Sequence, residues 1–183
     1  QPSVEDAVRN AGRFIKEGGA GAVKLEGGTA YTTQIRAIID AGIPVMGHVG
    51  LLPQSYHLSS GYRIQGKTKL EAEKIIEDAV AVQKSGAFSV VLEGIPAGLA
   101  EKITKTLDIP TIGIGAGPDC DGQIQVYHDI LGLYDNIVPK HTKQYANFGK
   151  EIKQKLLEYK SEVETKKFPS RQHSAKNNPQ TVK

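Results

Sequence analysis

Four ionisable residues stand where short apolar runs come to an end. Lys24 and Glu26 lie in Val23-Lys24-Leu25-Glu26-Gly27-Gly28, and Glu93 closes Val90-Val91-Leu92-Glu93 ahead of Gly94-Ile95-Pro96. His48 is the second residue of the run Gly47-His48-Val49-Gly50-Leu51-Leu52-Pro53-Gln54-Ser55. In parallel α/β proteins, chemistry gathers at the carboxyl ends of strands, where such residues are found. A carboxylate leaving a low-dielectric strand is expected to have a raised pKa, as a general base near neutral pH requires, so Glu93 is a candidate catalytic base. The alternative is that Glu93 caps the helix that Pro96 begins. Lys24 and Glu26 are two residues apart on one strand, so both project to the same side. A lysine there can bind an anionic substrate group, and a glutamate can hold a hard cation directly or through water. Equally, the two could form a simple ion pair on the sheet rim. His48 is either a neighbour of the site or a hydrogen-bonded core histidine.

Other features offer less chemistry. His57, His128, His141 and His173 have no metal-ligand spacing with acidic partners. Gly113, Gly115 and Gly117 could cradle an oxyanion or merely permit a tight turn, and the turn is the simpler reading. Cys120 stands between Asp119 and Asp121, which oppose thiolate formation. No Ser-His-Asp order stands out.

The elements that must position these residues belong to a chain of 183 residues, enough for one domain with a real core. The net charge is +3, part of it in the C-terminal tail, and the body has no basic stripe interleaved with aromatics, which argues against nucleic acid. One cysteine excludes an internal disulfide and a cysteine-based metal cage, and fits a reducing, cytoplasmic setting (mitochondrial if eukaryotic). No apolar run approaches the ~20 residues of a membrane span, and no signal peptide is visible. The first residue is Gln1 rather than Met, which leads to the expectation of a piece of a longer chain.

Periodicity predicts helices over residues 3–18, from Tyr31 to Ile39, after the Thr68–Glu71 capping box, after Pro96, and over 143–166. Strands are predicted at Val23–Glu26, Ile43–His48, Phe88–Glu93 and Thr111–Ile114, with a short fifth at Ile137–Val138. Residues 51–67 read as a long polar loop. Alternation of strand and helix implies a parallel sheet, either open and doubly wound or part of a (β/α)8 barrel. Gly113 and Gly115 match the first two glycines of a dinucleotide-binding fingerprint, but Pro118 occupies the third place. A barrel normally takes ~250 residues, so five strands in this chain cannot close one.

Taken together, the motifs Val23–Gly28, Gly47–Ser55 and Gly61-Tyr62-Arg63-Ile64-Gln65-Gly66-Lys67 resemble the ketopantoate hydroxymethyltransferase family. Val91–Pro96, Ile112–Gly117, Asp121-Gly122-Gln123, Val126-Tyr127-His128-Asp129, Val138-Pro139-Lys140, Phe168-Pro169 and His173-Ser174 continue the resemblance in order. It implies a (β/α)8 TIM barrel, a divalent metal (usually Mg), and a homo-oligomer, typically a decamer. The implied reaction moves a hydroxymethyl group from 5,10-methylenetetrahydrofolate to 3-methyl-2-oxobutanoate. It gives 2-dehydropantoate through a metal-bound enolate, on the route to pantothenate and coenzyme A. By position, Lys24 matches the substrate-binding lysine, Glu26 the metal-associated glutamate and Glu93 the proton acceptor. The family pattern begins with three further strands carrying two metal-binding aspartates, roughly 80 residues of βα units. Residues 1–167 are therefore expected to be a partial barrel of about five βα units, with 168–183 a disordered tail. Such a chain is expected to be inactive alone and prone to aggregate at its first strand, with rescue by a separately supplied N-terminal segment. Competing readings are a non-catalytic barrel fragment and another metal-dependent 2-oxo-acid barrel enzyme of the phosphoenolpyruvate/isocitrate-lyase kind.

Overall fold

The computed structural model describes residues 3–55, 63–134 and 138–175. Expectations that fall on Gly61, Tyr62, His57, Ile137 and the tail from 176 lie outside the described residues. Strands β1 (Val23–Glu26), β2 (Val45–Gly50), β3 (Ser89–Glu93), β4 (Thr111–Ile114) and β5 (Gly122–Gln123) form one sheet in the order of the chain. Every pairing is parallel. Helices α1 (Val4–Lys16), α2 (Thr32–Asp40), α3 (Lys69–Lys84) and α4 (Ala97–Thr106) alternate with the strands.

A sheet whose strands follow one another without reversal has no switch point, and right-handed crossovers then put every helix on the same face. Burial agrees. Ala7 and Ala11 of α1, Ile35 and Ile38 of α2, Ile75, Ala79 and Val82 of α3, and Leu99, Ala100 and Ile103 of α4 share one core. The strand residues in that core are Leu25, Val45, Val49, Val90 and Leu92, all of one parity. Of the two sheet types that alternation allowed, the doubly wound one is therefore excluded for these strands. The opposite parity holds Lys24, Glu26, His48, Val91 and Glu93, so the ionisable residues face away from the helices.

Gly47 lets α3 settle on β2, since a Cβ there would lie 2.2 Å from Val82 Cγ1. The start of α3 is fixed as the sequence predicts. Thr68 Oγ1 accepts the Glu71 N–H at 3.3 Å, and the Glu71 carboxylate accepts the N–H groups of Thr68 and Lys67 at 3.1 and 2.9 Å. Thr68→Ala is expected to cost about 0.5–2 kcal/mol, read as a lower urea midpoint; an unchanged midpoint would show that α3 is held by packing alone.

Three elements differ from expectation. β2 starts at Val45 because Pro44 has no N–H to give a ladder, although its carbonyl accepts from Val23 N–H at 3.0 Å. The strand continues through Gly50, so His48 sits inside it rather than at its end. The fifth strand is Gly122–Gln123, while Val138 is in no strand. No apolar run announces it. Asp121 accepts the Thr111 N–H and hydroxyl at 2.8 and 2.9 Å, and Gln123 donates to the Gly117 carbonyl at 2.9 Å. Those Thr111 donors hold the Asp121 carboxyl below its ordinary range. The last helix is α6 (Phe148–Glu164), shorter at its start than 143–166, because Asn147 caps it and Lys143 is occupied with Gln125.

The chain divides into two compact units, Gln1–Ile124 and Gln125–Lys183, where sequence alone grouped 1–167 together. In the second unit, α5 (Tyr127–Leu131) carries the buried Asp129, which accepts from the Tyr134 hydroxyl and from Thr142. A 3-10 turn over Arg171–His173 lies within the stretch expected to be disordered, capped by Ser170 and His173. Among the described residues no helix is long and apolar enough to cross a membrane.

Candidate active site

Register brings the four ionisable residues together. Glu26 pairs with His48, and Gly50 pairs with Glu93, so three strand ends step across one face. Two backbone bonds draw these ends close: Gly27 N–H to the His48 carbonyl at 2.9 Å, and Leu51 N–H to the Glu93 carbonyl at 2.8 Å. Gly50 has φ of +97°, and a Cβ there would lie 2.3 Å from the Glu93 carbonyl oxygen, so only glycine lets the chain leave β2 this way.

His48 is the hub. Its side chain is 0% exposed, against 47% for Lys24, 16% for Glu26 and 21% for Glu93. Nδ1 lies 3.2 Å from Lys24 Nζ and 3.5 Å from Glu26 Oε1. Nε2 lies 3.1 Å from Glu93 Oε2, but the direction between them is not that of a hydrogen bond. Distance makes the pair neighbours; direction leaves Nε2 a buried nitrogen without an aligned partner among the described residues. Ser89 Oγ, on the same parity of β3, is also buried without a partner among the described residues.

The alternatives left open by sequence now separate. Glu93 does not cap α4, whose N-cap is Pro96 with no side-chain bond. Pro96 therefore precedes the first turn that it was expected to occupy. Lys24 and Glu26 are 3.8 Å apart, the outer limit of an ion pair, and Lys24 is closer to His48. His48 is a fully buried residue that lies within 3.5 Å of Lys24, Glu26 and Glu93. The second oxygen of Glu26 accepts the Gln54 N–H at 3.1 Å, a contact from the loop after β2 to which sequence reading gave no role. The signal for it was Pro53, which starts a 3-10 turn. Gly115 and Gly117 have φ of +61° and +81°, which the tight-turn reading requires. Burial pushes the Cys120 thiol up, and the charges of Asp121 and Asp119 add to this, so Cys120 is a poor nucleophile.

Magnesium needs several oxygen ligands in near-octahedral order. Among the described residues no three of His, Cys, Asp and Glu are grouped to hold a metal ion. Glu26 has the right donor type, but alone it does not make a magnesium site.

The family model described as ketopantoate hydroxymethyltransferase matches residues 1–171. The chain belongs to the ketopantoate hydroxymethyltransferase family. The 3-methyl-2-oxobutanoate hydroxymethyltransferase of Moorella thermoacetica is 58% identical over 96% of this chain and 65% of its own length. Those of Clostridium beijerinckii and Clostridioides difficile are each 56% identical, over 95% and 94% of this chain and 63% and 62% of their own lengths. The chain thus spans under two thirds of the curated relatives it matches, and the matched span includes Lys24, Glu26, His48 and Glu93.

Proposed function

We infer that this chain carries the proton-abstracting half of a 3-methyl-2-oxobutanoate hydroxymethyltransferase active site. The observation that carries the reading is the single sheet face on which Lys24, Glu26, His48 and Glu93 converge. The Lys24 ammonium, half exposed, holds the carboxylate of the 2-oxo acid. Glu93 accepts the proton from C3, whose C–H bonding pair passes into the enolate of the 2-oxo group. The enolate carbon forms the new bond to the one-carbon unit of 5,10-methylenetetrahydrofolate. One water supplies the hydroxyl, and its remaining proton and the one taken up by Glu93 go to the two folate nitrogens as their bonds to the one-carbon unit break. Magnesium would polarise the 2-oxo group when bound. Glu26 would hold it, and among the described residues no three possible ligands are grouped around it.

The architecture of this reading is an arc of a (β/α)8 barrel. Unbroken strand order with α1 to α4 packed on one face of the sheet supports it. The described residues supply five strands; on this reading the family's three further strands, with their two metal-binding aspartates, complete the eight of a closed barrel. A homo-oligomer, ten subunits by family, belongs to the same reading. So does a cytoplasmic setting, or a mitochondrial one in a eukaryote. Support for assembly comes from α6, which leaves Ile152, Leu156, Tyr159 and Val163 exposed along one side.

The test is reconstitution. The 183-residue chain is mixed with a polypeptide carrying the family's first three strands and assayed with 3-methyl-2-oxobutanoate, 5,10-methylenetetrahydrofolate and magnesium. 2-Dehydropantoate is expected only from the mixture. Turnover of phosphoenolpyruvate or isocitrate instead would select the other enzyme class, and no turnover of any would select the non-catalytic fragment.

Within this reading, Lys24→Ala removes a charge-assisted hydrogen bond of about 1.5–3 kcal/mol, so KM for the 2-oxo acid should rise roughly 10- to 100-fold. Unaltered KM and kcat would demote the pair to a rim salt bridge.

A further inference from the structure

The two nitrogens of the buried His48 ring face groups of opposite hydrogen-bonding character. Nδ1 lies 3.2 Å from Lys24 Nζ. An ammonium only donates, so the nitrogen facing it must present a lone pair. Nε2 lies 3.1 Å from Glu93 Oε2, and an ionised carboxylate only accepts, so this nitrogen must carry hydrogen. Both demands select the same tautomer, with the proton on Nε2. The other tautomer would set an N–H against the ammonium and a lone pair against a carboxylate, with Glu26 Oε1 at 3.5 Å as an acceptor for its Nδ1–H.

The Nε2–H is nevertheless a buried donor without an aligned acceptor among the described residues, an uncommon state in a folded protein. The terminal torsion of a glutamate is soft, and turning the Glu93 carboxylate about it is the smallest motion that pairs the two. Such bonds in catalytic sites commonly close only when the reacting complex forms.

We propose that His48 is the positioning residue for Glu93: locked as the Nε2–H tautomer by Lys24, it binds Oε2 and leaves the other carboxylate oxygen free for the substrate proton. Lys24 then works in two directions. One N–H fixes the ring, and the rest of its half-exposed ammonium is open to the substrate carboxylate. The inference rests on the reading of Glu93 as the base.

The experiment is nitrogen-15 magic-angle-spinning NMR of the reconstituted protein, with labelled histidine in the 183-residue chain and His48 identified by its proximity to the Lys24 side chain. A pyrrole-type shift at Nε2 and a pyridine-type shift at Nδ1 are expected. Lys24→Met, which leaves the buried ring in place, is expected to move the proton towards Nδ1, where Glu26 becomes the acceptor. Kinetics supplies the second readout: His48→Ala should lower the rate of C3 proton exchange about 10²-fold, as a misplaced catalytic group does, and His48→Gln, which restores an N–H, should recover about a tenfold of it. An Nδ1–H tautomer in the unsubstituted protein, indifference of the ring to Lys24→Met, or full-rate exchange in His48→Ala would each overturn the proposal. Failure of the base reading is distinguishable, because it appears as full-rate exchange in Glu93→Gln whatever tautomer His48 adopts.

Discussion

Glu93→Gln is expected to lower product formation by the reconstituted protein roughly 10²–10⁴-fold, about 3–5 kcal/mol of barrier, with little change in KM. The amide keeps the shape of the carboxylate and can still face His48 Nε2, 3.1 Å away in the unsubstituted chain. It cannot accept a proton. The backbone around it should not move, since its carbonyl is held by Leu51 N–H at 2.8 Å and the next residue, Gly94, donates to the Ile114 carbonyl at 2.9 Å. A fall in kcat with an intact fold is therefore the signature of lost base chemistry. A compensating fall in KM would point instead to relieved strain, and an unaltered kcat would remove Glu93 from the mechanism.

Leu92→Ala is expected to cost about 2–5 kcal/mol of stability. Leu92 is 0% exposed and stands in register with Val49 and Gly113 on the helix side of the sheet. Removing its side chain opens a cavity in the middle strand of five, directly before Glu93. Urea unfolding should show the loss as a lower midpoint, and Leu92→Met, which conserves volume, should cost less than about 1.5 kcal/mol. Equal midpoints for Leu92→Ala and the unsubstituted chain would mean that this face is not the core.

How far the sequence could be read depended on the physics behind each element. β1 was legible at its bounds because a four-residue apolar-polar run sits before a glycine pair. The Thr68–Glu71 box was legible because capping is a local interaction. β2 was misplaced by two residues because apolar character alone does not say where a ladder begins; the missing N–H of Pro44 does. β5 was invisible because Gly122 and Gln123 have no strand propensity, and the pairing is held from a distance by Asp121 and Thr111. Lys24, Glu26 and Glu93 could be found from strand ends. The bridge that His48 makes between them could not, because it depends on which residues lie opposite across two parallel pairings, and register is a tertiary property.

The central claim, that this sheet face abstracts a proton from C3 of the 2-oxo acid, is tested most directly by hydrogen exchange. The reconstituted protein is incubated with 3-methyl-2-oxobutanoate and magnesium in deuterium oxide, with no folate present, and the substrate is followed by proton NMR. Loss of the C3 proton signal at a rate at least as fast as turnover, abolished by Glu93→Gln, is the expected result. Product formation in the complete assay without any C3 exchange in this one would contradict the account.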